Sequence, residues 1–166
     1  MTDSRSVANS PAPAEVPERP ALRVGWVERV DIPSWGIRRL RAKLDTGARS
    51  SALHVEHIEE LEGARVRFEV VTSRARPEGR VVVEAPIVRR AKVKSSSGAV
   101  SHRLFVRVPV QLGEHCREVE VSLVGRSTML FRMLLGRSAL TPGLLVDPGA
   151  RYVLSGGPRR IKRRAS

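Results

Sequence analysis

The sequence predicts an all-β domain, a barrel or sandwich of many short strands. Apolar residues alternate with polar ones at Val66, Phe68 and Val70, and over a longer stretch at Leu104, Val106, Val108, Val110 and Leu112. That period of two is the signature of a strand with one buried face. The 13 Gly and 11 Pro cut the chain into short runs, which leaves little room for long helices.

Taken in order, residues 24–30 form an apolar run around Trp26, and residues 40–44 form a second one that ends directly at Asp45. Residues 51–61 are predicted as a short helix. Strands are expected again at 65–70, 80–83, 87–93, 104–112 and 119–123. The Leu112-Gly113-Glu114-His115 segment is the turn of a hairpin joining the last two. Ser95-Ser96-Ser97-Gly98 lies between two strand-like runs and suits a hairpin tip that bends and moves. Residues 138–140 are a second short helical segment. No internal repeat or heptad pattern is visible.

A chain of 166 residues is long enough for one domain with a core of its own. Residues 1–20, rich in Ser, Ala, Pro and Glu and without a signal-like apolar stretch, are expected to be a disordered leader. The domain is expected over 21–158 and a basic tail over 159–166. No apolar run is long enough to span a bilayer, so no membrane partner is expected. The single cysteine, Cys116, excludes an intrachain disulfide and fits a reducing, cytoplasmic setting. The net charge is +13, with −1 in the leader, +5 in the tail and therefore +9 in the body. A body this basic attracts polyanions such as nucleic acid, an anionic membrane surface or an acidic polypeptide; the alternative is a surface that is merely well solvated.

Asp45-Thr46-Gly47-Ala48 is the segment with a clear chemical use. Hydrolysis of a peptide by carboxylates needs two of them sharing one proton, one to take a proton from water and the other to polarise the carbonyl. Each must be held in a tight turn. Gly47 permits the turn, Ala48 leaves room for substrate, and Thr46 can brace the turn against a counterpart. Leu134-Leu135-Gly136-Arg137 follows far downstream, two apolar residues and a Gly suited to pack beneath such a turn. One Asp-Thr-Gly per chain makes half a site, so a homodimer is expected.

These motifs resemble the retropepsin-type aspartic proteases. In order they are Leu44-Asp45-Thr46-Gly47-Ala48, the flap-like 95–98 hairpin, and Leu134-Leu135-Gly136-Arg137 before a short helix. The chain is more closely similar to a bacterial family long labelled "ATP-dependent zinc protease". There an Asp-Thr-Gly-Ala-x-x-Ser-x-Leu motif, here Asp45 through Leu53, precedes Leu-x-Gly-Arg and Val146-Asp147-Pro148. The resemblance covers about residues 22–154. It implies a closed retropepsin-like β-barrel and a homodimer whose dyad takes Asp45 from each subunit. It also implies a link to ATP-grasp ligases that add glutamates to a ribosomal protein, and hence a protease that trims polyglutamylated protein.

The implied catalytic residues are Asp45, Thr46 and Gly47; the implied substrate contacts are Ala48, Arg49, Ser96, Ser97, Gly98, Arg126 and Arg137. Arg41 and Lys43 also lie near the motif, and clustered cations suit an acidic peptide. Retroviral enzymes carry an acid where this chain has Arg49, and that acid pairs with the Arg of the Gly-Arg segment. Arg137 is therefore expected either to find another partner, with Asp147 as candidate, or to bind a substrate carboxylate.

His54-Val55-Glu56-His57 is not His-Glu-x-x-His, and no Gly-x-x-x-x-Gly-Lys occurs, so neither metal nor nucleotide cofactor is expected. A zinc-dependent peptidase would have to draw on His54, His57 and Cys116. A further alternative is a basic barrel that binds RNA or the ribosome without catalysis. Only six aromatics, Trp26, Trp35, Phe68, Phe105, Phe131 and Tyr152, are available for base stacking. The basic tail could still tether an enzyme to ribosomes.

Overall fold

A computed structural model describes residues 21–73, 79–94, 98, 100–125 and 130–156. The leader, the whole basic tail, Ser96, Ser97 and Arg126 lie outside the described residues.

The chain opens with β1 (Leu22–Ile32), a single 3-10 turn (Pro33–Trp35), and β2 (Ile37–Leu44). β3 (Ser51–Leu61), β4 (Arg65–Val71) and β5 (Arg80–Pro86) follow, then β6 (Arg89–Lys94), β7 (Val100–Leu112) and β8 (His115–Val124). The last elements are β9 (Met133–Leu135), α1 (Arg137–Leu140) and β10 (Leu144–Arg151). The all-β expectation holds, with α1 at the predicted place.

The main sheet runs β10-β1-β2-β9-β3-β8-β7-β6. β1 turns back to meet β7, with Asp31 opposite Gln111, and this closes a barrel of β1, β2, β9, β3, β8 and β7. Closure removes the edges that an open sheet would expose. The barrel is filled by Val24, Val30, Leu40, Leu53, Val106, Val121 and Met133, each at most 1% exposed. The Leu112–His115 hairpin is as expected, with those two residues paired and Gly113 at φ 59°. β6 and β7 pair from Arg89–Phe105 out to Lys94–Val100, with the exposed Gly98 beyond at φ 84°.

Residues 51–61 are a strand, not the predicted helix. Ser51 to Val55 is buried throughout, because this half of β3 sits between β8 and β9 inside the barrel wall. A strand covered on both faces shows no alternation. The outer half leaves the barrel to pair with β4, and the register slips between Glu56 and Glu59 with His57 at φ 50°. That bulge shifts the phase a second time. Tertiary pairing therefore overrides a local preference for helix.

β10 runs parallel to β1, and Gly25 lets it come close: a Cβ there would lie 2.7 Å from the Ala150 carbonyl oxygen. Beyond β10, the buried Glu28 carboxylate ties down the chain. It accepts the N–H groups of Gly25 (2.8 Å), Val153 (2.8 Å), Leu154 (3.3 Å) and Ser155 (3.1 Å), and the Ser155 hydroxyl. A fully buried acid persists only when so completely satisfied. Glu28→Gln puts an amide NH2 among these donors, and we expect it to lower unfolding stability by roughly 2–4 kcal/mol in urea denaturation.

Candidate active site

Asp45 is the first residue after β2. β9 is inserted beside it, parallel to β2 (Lys43–Leu134, Leu44–Leu135) and antiparallel to β3 (Ala52–Leu134). The Asp45 N–H donates to the Leu135 carbonyl at 2.8 Å. The chain then turns so sharply that both the Gly47 N–H (3.0 Å) and the Ala48 N–H (3.2 Å) donate to Asp45 Oδ1. This is an Asx-type turn, in which the carboxylate organises the loop that presents it.

The Leu-Leu-Gly-Arg segment grips that loop from below. The Arg137 N–H donates to the Ala48 carbonyl (2.9 Å) and the Ser138 N–H to the Arg49 carbonyl (3.0 Å). The Arg137 guanidinium donates to the carbonyls of Thr46 (3.1 Å) and Gly47 (2.8 Å). The Gly136 N–H donates to Ser51 Oγ (3.1 Å), and Ser122 Oγ to the Ser51 carbonyl (3.1 Å). Position 136 has to be glycine for room: a Cβ there would lie 2.6 Å from the Ser50 carbonyl oxygen. Arg137 thus has a partner that the sequence did not indicate, the backbone of the turn itself. Asp147 is not that partner; it is paired with the Arg23 guanidinium, whose Nε lies 2.9 Å away.

Asp45 Oδ2 faces Lys43 Nζ at 3.3 Å. Burial pulls the Asp45 carboxyl upward, but the Ala48 N–H, the Lys43 ammonium and the Gly47 N–H together hold it below its ordinary value. In a single chain the group is therefore an anion over the whole neutral range. Lys43 lies two residues before Asp45 on a strand, so the alternation of β2 was the signal that both share a face.

The structure brings Asp45, Thr46, Gly47, Ala48 and Arg137 into one cluster, with the exposed Arg49 at its edge. Along 37–50 the cations Arg38, Arg39, Arg41, Lys43 and Arg49 stand with Asp45 as the only acid. The acids of β3, β4 and β5 are instead matched by local guanidinium groups: Arg67 donates to Glu84 (2.6 Å) and Glu59 (3.3 Å), and Arg80 to Glu69 (3.1 Å) and Glu56.

The candidate zinc ligands are not assembled. His54 pairs with Val124 across β3 and β8, whereas Cys116 lies at the other end of β8, roughly 26 Å along the strand. His54 is buried, and its Nε2 is 3.8 Å from Glu56 Oε1, beyond hydrogen-bond reach. Burial and the neighbouring Arg132 push its imidazole down, towards the neutral form. His57 instead joins Glu56 and Glu69, with ligand atoms within 4.8 Å of one another, a grouping hidden from the sequence by the β3–β4 register. The Arg80 guanidinium already bridges both of those carboxylates.

A family model described as "RimB-like: Retropepsin-like aspartic endopeptidase RimB" matches residues 23–155. The chain belongs to this RimB-like family. Curated relatives named "Probable alpha-L-glutamate ligase" contain a similar segment. Those of Shewanella halifaxensis and Desulfotalea psychrophila are 34% and 33% identical over 134 residues, covering 79% of this chain. This RimB-like chain spans only 29% of the length of those relatives. Among solved structures, the Legionella pneumophila protein Lpg0085, described as of unknown function (DUF785), matches with a TM-score of 0.68 and 30% identity, over 80% of this chain and 97% of that one. The fold and the family therefore agree with the retropepsin resemblance.

The depressed Asp45 carboxyl can be checked by following its 13C signal with pH in dilute, monomeric protein. We expect a midpoint below 3.8, moving upward in Lys43→Met. The sign for stability follows: Asp45 favours the folded state at pH above 3.8, and that contribution is lost as pH falls through the lowered value.

Proposed function

We propose that this RimB-like chain is an aspartic peptidase that works as a homodimer and trims glutamate-rich tails from a protein substrate. The observation that carries the reading is the Asp45 turn: Oδ1 is fixed by two N–H groups while Oδ2, among the described residues, meets only the exposed Lys43 ammonium. One such carboxylate, held as an anion, can accept a proton from water but has none to give. A second Asp45 from another copy supplies the missing proton, since two carboxylates at close range cannot both ionise. The ionised member takes a proton as water attacks the scissile carbonyl carbon. The protonated member donates to the carbonyl oxygen, and collapse of the tetrahedral intermediate passes a proton to the leaving amine.

The acidic substrate is supported by the five cations along 37–50 and by the names of the relatives, since a glutamate ligase makes the type of product such a peptidase would trim. The exposed Arg49 is the proposed contact for substrate carboxylates, with Ser96, Ser97, Gly98 and Arg126 as further candidates. Arg137 acts on the reaction through the Asp45 turn, which its guanidinium braces. A ribosomal protein is the proposed target, with the basic tail as a tether, in a cytoplasmic setting. The RNA-binding alternative is disfavoured, because all six aromatics are buried or half-buried and are not laid out as an open stacking platform. Trp26 meets Phe131 edge-on at 5.8 Å, and Trp35 meets Phe68 at 5.6 Å.

The test is hydrolysis of a peptide ending in several glutamates. Wild type is expected to cleave it with a bell-shaped pH profile, to prefer it over a neutral peptide, and to lose that preference as salt rises. Asp45→Asn is expected to reduce kcat by at least about 10³-fold with its melting temperature retained, and chelation is expected to leave wild-type activity in place. Wild-type turnover by the Asn variant would refute the mechanism. Equal turnover of the two peptides at low salt would refute the substrate.

A further inference from the structure

The two oxygens of Asp45 are not equivalent. Oδ1 is occupied by the Gly47 and Ala48 N–H groups, so any chemistry with water or with a second carboxylate falls to Oδ2. Yet Oδ2 is the oxygen that Lys43 covers, with Nζ 3.3 Å away. At rest, the reactive oxygen of the site is engaged by an ammonium of its own chain.

That engagement is open to exchange. The Lys43 side chain is 41% exposed and that of Asp45 25%. An ion pair so accessible to water is weak, and another carboxylate can replace one partner with little net cost. Arg41 stands two residues before Lys43 on β2, its guanidinium held 5.1 Å above the Phe131 ring. Alternate residues of a strand are about 6.6 Å apart, which is also the spacing of side chains on one side of an extended peptide. A peptide with acidic residues laid along β2 could therefore present one carboxylate to Lys43 and another to Arg41.

We propose that Lys43 is a specificity latch: it masks the outer oxygen of Asp45 until a substrate carboxylate draws it away, so that binding of acidic residues itself uncovers the catalytic oxygen. This rests on the peptidase reading above and extends it. Acidic preference would arise from two effects of one residue, attraction of the right substrate and inhibition towards the wrong one. A neutral peptide brings no anion to take the ammonium, and Oδ2 stays covered. No covalent step is involved, only an exchange of ion-pair partners.

The test is a double-mutant cycle on binding, which does not depend on turnover. Affinity for an oligoglutamate peptide is measured by calorimetry at low salt for the full chain as wild type, Asp45→Asn, Lys43→Met and the double variant, each checked by melting. Asp45→Asn frees Lys43, and we expect it to bind about tenfold tighter than wild type. Removing any anion from the site would also help an acidic ligand, and the Lys43→Met background measures that generic gain. The proposal requires the gain from Asp45→Asn to be several-fold larger with Lys43 present than with Met in its place. A gain of equal size in both backgrounds overturns the latch while leaving the acidic-substrate reading intact. Absence of oligoglutamate binding to wild type, with the protein folded, overturns both. Turnover adds an arm that binding cannot mimic: Lys43→Met is expected to raise kcat/KM for a neutral peptide and lower it for the glutamate-tailed one, whereas an equal fall for both would make Lys43 merely structural.

Discussion

The Asp45 turn has no regular structure of its own; it is held in shape by its contacts with residues 135–138. Four backbone groups of the loop, the Asp45 N–H and the carbonyls of Thr46, Gly47 and Ala48, bond to Leu135 or Arg137. Within the loop the Asp45 carboxylate takes the Gly47 and Ala48 N–H groups, and the loop's carbonyls find their partners in the facing segment. The clamp fixes where the carboxylate points. It also explains two features of the sequence: Gly136, because the chains approach within 2.6 Å of a would-be Cβ, and Arg137, whose Nη1 group serves two carbonyls at once.

The barrel exists to bring the two halves of that clamp together. β9 is only three residues long, but it fills the slot between β2 and β3 and carries Gly136 directly beneath the turn. Ser51, the first residue of β3, receives the Gly136 N–H on its side chain and the Ser122 hydroxyl on its carbonyl, which links β8 to the same point. Charge is distributed with a similar economy. Guanidinium groups on β4, β5 and β6 are matched by glutamates of the same wing and of β3 and β8, while the end of β2 sets Lys43 beside the Asp45 carboxylate.

Much of this was legible because it rests on local patterns. The alternation of 65–70 and 104–112, the Gly113 hairpin and the Asp45 turn at a strand end each follow from a few neighbouring residues. What was not legible depends on contacts between distant ones. β3 looked helical because two-sided burial and the bulge at His57 erased its alternation. β9 is too short to have a pattern. The partner of Arg137 could not be found by searching for acids, since it is a set of backbone carbonyls. Lys43 was visible as a nearby cation, but its position over Oδ2 follows only once β2 is known to continue, on the same face, into the turn.

The central claim is that one Asp45 is half of a reactive centre and that a second copy completes it. Mixing wild type with Asp45→Asn at constant total concentration, after allowing the subunits to exchange, tests this directly. If both carboxylates of a dimer are needed, activity falls as the square of the wild-type fraction, because only dimers with two intact Asp45 groups are active. A fall in simple proportion to that fraction would mean that each chain works alone, and would contradict the account.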